Sequence, residues 1–325
     1  MTRAGSRFPM DPFPEGWYVV RHSDQLTEGD VVPLHYFGRD FVLFRSRSGQ
    51  AFMLDAFCPH LGAHLGYGGR VSGETIQCPF HAWRFDGTGR CIATPQGEPV
   101  PEAALQALHA WPVREQGGLV FVYWHPDQQA PSWHVGAIPF LDEGWTRPEW
   151  VSCQIETHAQ EVLENAIDIH HFAHVHGWPK AANATMKADG PVLEIANHFQ
   201  GHQTKDSNGS DSTQMHLFGL GVVLTRTIVR NGSESCLVTL VVPVDVDRIE
   251  VQIGMATKKN PQSDAPERRL RESLERLATF LAQDAEIMAH KKYVDAPALT
   301  PSEDGILVFR QWARQFYRHD ESRRQ

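Results

Sequence analysis

Two short stretches, "CPHLGAHLG" and "CPFHAW", give Cys58-x-His60 and, seventeen residues later, Cys78-x-x-His81. Two thiolates and two imidazoles on two loops can hold a zinc ion tetrahedrally. They can also hold a [2Fe–2S] cluster with both cysteines on one iron and both histidines on the other. The spacing favours the iron cluster. His64 and Cys91 lie nearby but outside both loops, and read as ordinary loop and strand residues.

A second concentration of ligand chemistry is "NAIDIHHFAHVHGWP", residues 165–179, with His170, His171, His174 and His176. On a regular helix of about 100° per residue, His170 and His174 are neighbours on one face, whereas His171 and His176 diverge by about 140°. Glu161, Glu164, Asn165, Asp168 and His171 share one broad polar face, which inside a folded domain suggests a site. A mononuclear iron bound by two histidines and a carboxylate keeps positions open for O₂. A carboxylate for such a site is present far downstream. Leu270, Leu274, Leu277, Leu281 and Met288 make an apolar stripe at helical spacing, and Asp284 lies on it, while Glu275 and Glu286 project away. A buried carboxylate must be paired, hydrogen-bonded or metal-bound.

These groups need scaffolds, and the chain has two textures. Up to about residue 130 it reads as short strands and turns: "GWYVV", "RDFVLFR", "AFMLDAF", "WRFDGTGRCI" and "GGLVFVYW". Residues 125–139, rich in proline and polar residues, read as a linker. Beyond it the pattern predicts a helix over the histidine stretch, with Gly177 and Pro179 as stop signals. Strands over "GVVLTRTIV" and "SCLVTLVVPV" follow, then a long helix from Pro266 to Tyr293. The terminal "SRRQ" reads as disordered.

Thirty basic against thirty-nine acidic residues, a net charge of −9, disfavour nucleic acid as a partner. No apolar run approaches a membrane span, and the first sixteen residues carry no export signal, so a cytoplasmic protein is expected. Five cysteines are a poor disulfide framework. There is no G-x-G-x-x-G after a strand and no second cysteine cluster, so electrons must come from elsewhere.

The paired Cys-His loops closely resemble the Rieske motif. Rieske proteins of respiratory complexes carry an extra cysteine in each loop; Ala63 and Phe80 stand there instead. The resemblance therefore runs to the Rieske non-haem iron oxygenases, or to small Rieske ferredoxins, which need only about the first 130 residues. Oxygenases of this kind show Asp-x-x-His-x-x-x-x-His followed about a hundred residues later by a helical Asp. Asp168, His171, His176 and Asp284 are similar to that pattern, which implies that the last three bind iron. The opening "FPEGWYVV" and the closing "QDAEIMAHKKYVDAPALTPSEDGILVFRQWARQFY" look most like the oxygenase components of 3-ketosteroid 9α-hydroxylases and the related cholesterol 7-desaturases. One departure is "HAW", where the family more often has His-Gly-Trp.

The resemblance implies an α+β chain, with an N-terminal all-β Rieske domain (15–130) and a C-terminal helix-grip-like catalytic domain of antiparallel sheet and helices (131–325). It implies a [2Fe–2S] cluster on Cys58, His60, Cys78 and His81, a mononuclear Fe(II), and O₂ as co-substrate. Asp168 would bridge a cluster histidine, His60 or His81, to an iron-ligand histidine of another subunit in a ring-shaped homotrimer. Asn165 would hydrogen-bond near the iron. A separate ferredoxin or flavin-dependent NAD(P)H reductase would supply electrons. The reaction would be hydroxylation or desaturation of a bulky, steroid-like polycyclic substrate, with a non-steroid aromatic or secondary metabolite as the alternative.

Overall fold

The computed structural model describes residues 7–95, 97–138, 144–177, 181–199, 211–228, 232–259 and 266–318. Pro179 and the terminal "SRRQ" lie outside these. The chain divides into two compact units, residues 17–134 and residues 135 onwards, the latter joined by the segment up to Gly16.

The first unit is built from β1 (Gly16–His22), β2 (Val31–Tyr36), β3 (Arg39–Arg45), β4 (Ala51–Asp55), β5 (Arg70–Ser72), β6 (Thr75–Gln77), β7 (Arg84–Asp86), β8 (Cys91–Ala93), β9 (Ala110–Trp111), β10 (Val113–Gln116) and β11 (Leu119–Trp124), with one helical turn, α1 (Glu102–Leu105). They form three small sheets of order β1-β11-β10, β2-β3-β4-β9 and β5-β6-β7-β8. Phe37, Trp124 and Trp111 stack in sequence, centroids 4.5 and 4.9 Å apart. Such aromatic burial supplies much of the driving force in a unit of short strands. Cys58 and Cys78 sit at the ends of strand-loop segments, in a core of Val42, Phe44, Leu65, Ile76, Trp83 and Phe85 that also holds Cys91.

The second unit contains β12 (Glu149–Ile155), α2 (Ala159–Ile167), α3 (Ile169–Val175), β13 (Ala181–Asp189), β14 (Val192–Phe199), β15 (Asp211–Phe218), β16 (Val222–Ile228), β17 (Glu234–Asp245), β18 (Arg248–Thr257), α4 (Pro266–His290) and α5 (Asp304–Ala313). One seven-stranded antiparallel sheet runs β12-β18-β17-β16-β15-β14-β13. β12 and β13, consecutive strands, lie at opposite edges. The chain joining them must cross the full width of the sheet, and it does so as α2 and α3. After the meander returns to β18, α4 packs back over β12 and β18 and against α3, while α2 lies on β17 and α5 on β13. This topology brings "DIHHFAHVH" and Asp284, more than a hundred residues apart, together.

Three expectations are refined. The histidine stretch is two helices rather than one, separated at Asp168. The long helix stops at His290 rather than Tyr293, because Lys291 and Tyr293 are drawn into contacts described below. Along α4, Leu270, Leu274 and Met288 are buried whereas Leu277 and Leu281 are partly exposed, and Glu275 and Glu286 face solvent. Among the described residues no helix is long and apolar enough to cross a membrane.

Candidate metal centres

The two loops of the first unit share one backbone pattern. Cys58 N–H donates to Ala63 O (2.9 Å) and Gly62 N–H to Cys58 O (2.9 Å). Cys78 N–H donates to Trp83 O (2.8 Å) and Ala82 N–H to Cys78 O (3.1 Å). In each, the fifth residue adopts a positive φ, 74° at Gly62 and 57° at Ala82. The thiols are 2% exposed. His60 and His81 stand on the solvent side with centroids 4.6 Å apart, and His60 stacks on Trp83 at 4.6 Å and 7°. Trp83 of one loop thus supports the histidine of the other.

Burial, with the neighbouring Cys78 and Cys91, pushes the Cys58 thiol up to about 12. A thiolate there requires a compensating cation. Two buried thiols on one side and two imidazoles on the other fit a [2Fe–2S] cluster, one iron at each end. Cys91 keeps its place in the core, its Sγ directed at Ala93 O, and His64 is used locally, Nδ1 accepting from Gly66 N–H at 2.9 Å.

In the second unit, Asp168 ends one helix and starts the next. Its N–H donates to Glu164 O at 3.0 Å, while its carboxylate caps α3 by accepting from His170 N–H at 3.0 Å. An aspartate that offers the backbone this competing bond is a helix starter, so the break follows from the side chain itself. Seven residues later α3 ends. His176 is its C-cap at φ −106° and ψ −4°, followed by Gly177 at φ 68°. This departure lets His171 and His176 converge, with centroids 5.2 Å apart. His170 instead turns to Ser302 O (3.4 Å), and His174 is exposed.

His176 Nε2 lies 3.2 Å from Asp284 Oδ1, with the two side chains 2% and 13% exposed. One ligand atom from each of His171, His176 and Asp284 falls within 4.8 Å of the others. Bonds of about 2 Å to one metal place its ligand atoms within about 4 Å of one another, a spacing these three reach with a small approach, and two imidazoles with one carboxylate are the donor set of non-haem Fe(II). Burial pushes the His171 imidazole down, toward its neutral, ligating form, and pushes the Asp284 carboxyl up against the pull of both histidines.

Backbone and amide partners orient the donors. His171 Nδ1 donates to Asp168 O at 2.5 Å, which leaves Nε2 for the shared site. The Asn165 amide approaches that Nε2 at 3.3 Å and lies near the Asp284 carboxylate, whose charged form it favours. His176 Nδ1 donates to Gln283 Oε1 at 3.1 Å. Asp168 therefore meets the ligand histidine through its carbonyl, while one carboxylate oxygen caps α3. Gln283 was not legible as a site residue. It lies about 100° around the helix from Asp284, with no signal except adjacency.

Glu161 and Glu164, grouped with this site by helical phase, are used elsewhere. Glu164 takes a bidentate pair from Arg310, 2.6 and 2.8 Å. Lys291 Nζ lies 2.6 Å from Glu161 Oε2, outside hydrogen-bonding alignment. A cavity of 390 Å³ lies between β12 and the alanine side of α4, bounded by Cys153, Ala278, Ala282 and Ala285; none of the three ligand candidates borders it.

The sequence profile of the 3-ketosteroid 9alpha-hydroxylase C-terminal domain matches residues 122–317, and that of the Rieske [2Fe-2S] domain residues 16–105. The chain is 31% identical to the oxygenase component of a 3-ketosteroid-9-alpha-monooxygenase from Rhodococcus rhodochrous over 340 residues, 94% of this chain and 84% of that one. To cholesterol 7-desaturase nvd 1 of Ciona intestinalis it is 41% identical over 165 residues, spanning 50% of this chain and 35% of the relative. In fold it is similar to NdmA of Pseudomonas putida CBB5, solved with caffeine, at a TM-score of 0.74 and 17% identity over 92% of this chain and 89% of that one.

Proposed function

Because the chain belongs to the Rieske oxygenases that carry a 3-ketosteroid 9α-hydroxylase C-terminal domain, we propose that it is a terminal oxygenase component that hydroxylates or desaturates a bulky, steroid-like polycyclic substrate. The observation that carries this is the meeting of His171, His176 and Asp284 in a chain that also presents two Cys-His loops. The relatives named for ketosteroid monooxygenation and cholesterol desaturation support the substrate class.

We assign the cluster to Cys58, His60, Cys78 and His81 within residues 15–130, and the iron to His171, His176 and Asp284 within 131–325. When bound, the cluster relays single electrons and the iron provides the place where O₂ is reduced beside the substrate. The protein's own part is to hold the donors. Asp168 O fixes the His171 tautomer through Nδ1–H, Gln283 does the same for His176, and Asn165 steadies Asp284. The burial of the His176 and Asp284 side chains limits competition from water.

Asp168 is assigned the bridge to a cluster histidine of a neighbouring subunit in a homotrimer. In support, the first unit exposes Phe80 against His81 and Leu61 next to His60 in sequence, with exposed Phe57 and Tyr67 packed on His64, apolar surface of the kind that a second chain covers. Electrons come from a separate ferredoxin or a flavin-dependent NAD(P)H reductase. A cytoplasmic location fits five cysteines none of which is joined in a disulfide.

The test is incubation with sterols, 3-ketosteroids and non-steroid aromatics plus a surrogate reductase, followed by mass spectrometry. Gain of one oxygen atom marks hydroxylation and loss of two hydrogens marks desaturation. Turnover confined to the non-steroid aromatics would refute the substrate class, and absence of a Rieske-type EPR signal after reduction would refute the oxygenase reading.

A further inference from the structure

Helix α2 makes two sets of contacts on successive turns. Its second turn carries Asn165 and leads to Asp168, the residues that touch His171 and Asp284. One turn earlier on the same rows, Glu161 precedes Asn165 and Glu164 precedes Asp168 by four residues each. These two acids grip the chain that leaves α4. Lys291, seven residues and about 10 Å beyond Asp284, reaches Glu161, whose side chain is 0% exposed. Arg310 of α5 takes Glu164 with both ends of its guanidinium fork, donates to Val294 O at 2.6 Å and lies 4.4 Å over the Tyr293 ring.

Buried ion pairs of this kind seldom beat well-packed apolar residues in stability, since taking both charges out of water costs about what their attraction returns. What a bidentate, buried fork does supply is register, because a one-residue slip or a rotation of either partner unpairs it. We propose that the Glu161–Lys291 and Glu164–Arg310 pairs act as a positioning clamp that sets α2 and α3 against α4, and thereby fixes the spacing of His171 and His176 from Asp284. This rests on the reading of those three residues as the iron site. The clamp residues touch neither metal nor substrate. They act through Asn165 and Asp168 on one side and through the exit of α4 on the other.

The test replaces charge by apolar bulk, Glu164→Leu with Arg310→Met, in the full chain. The measurements are thermal stability, cluster absorbance, and the affinity and visible spectrum of Co(II) bound in place of the mononuclear iron. The clamp predicts an unchanged cluster, a melting temperature at or above that of the parent, Co(II) binding weakened at least about 10-fold, and d–d bands altered in intensity. Retention of parental affinity and spectrum in a folded variant would overturn it, and so would loss of cluster and Co(II) together. Should the double variant not fold, Glu161→Gln with Lys291→Met is judged by the same readings. Failure of the underlying site reading looks different: the parent would then bind no Co(II) that Asp284→Ala abolishes.

Discussion

Gln283 Oε1 accepts a hydrogen bond from His176 Nδ1 at 3.1 Å across 107 residues of sequence. That bond sets the tautomer of the imidazole and aims Nε2 at Asp284. A histidine without such a partner swings and splits its tautomers, and loss of comparable partners weakens metal binding about 10- to 100-fold. Gln283→Leu is therefore expected to lose mononuclear iron on dialysis against a mild chelator while keeping the cluster absorbance. Gln283→Glu, which keeps the acceptor, should retain most of it. Metal analysis before and after dialysis decides.

Asp168 separates two roles by atom. Its backbone carbonyl holds His171, and its carboxylate caps α3. Asparagine caps helices about as well as aspartate, so Asp168→Asn is expected to fold, bind both metals and fail in turnover. Near-parental hydroxylation would remove the bridging role. Asp168→Ala should in addition lose about 1 kcal/mol of stability with the cap, readable as a lower denaturation midpoint.

Ala82 occupies the left-handed region at φ 57°, where its counterpart in the twin loop is Gly62. A non-glycine residue there costs about 1 kcal/mol. Ala82→Gly is expected to stabilise the first unit by roughly 0.5–1 kcal/mol and to slow thermal loss of cluster colour. Equal or faster bleaching would show that the loop carries no such strain.

Much of this arrangement is legible in the sequence because its signals are local. The paired Cys-His spacings, the alternating strands and the stripe that places Asp284 on the buried side of α4 each lie within a short window. What is not legible depends on partners that no window contains. Glu161 and Glu164 share helical phase with Asn165 and Asp168 and were grouped with the metal site on that ground. Their separation into a clamp requires Lys291 and Arg310, brought back by β18, α4 and α5. The break at Asp168 is intermediate. The capping aspartate is visible, yet helix periodicity runs through it, and only the bond from His170 N–H to the Asp168 carboxylate shows that it stops one helix and starts another.

Glu115 receives two hydrogen bonds from Arg45, 2.7 and 2.8 Å, and this holds its carboxyl below the ordinary 4.5. The native state therefore binds the proton more weakly than the unfolded chain. The stabilisation is complete above the ordinary value and is lost as pH falls through the depressed one. With a carboxylate side chain 34% exposed, solvent screening limits the effect to about 1 kcal/mol or less. Denaturation of parent and Glu115→Gln should differ by that amount at neutral pH and converge in acid. A gap that widens in acid would contradict the sign.

The matched hydrogen-bond pattern of the Cys58 and Cys78 loops bears on how the cluster is built. With the cluster assigned to these loops, each loop would give one thiol to one iron and one imidazole to the other, so neither loop by itself would complete the ligand set of either iron. Occupancy is then cooperative. Disabling one loop, by Cys58→Ser or by His81→Ala, would strip half the protein ligands from one iron and disturb the shared sulfides, and the first unit should be found with both cluster irons or with neither. A first unit that stably holds a single iron is not an assembly intermediate that this geometry supports.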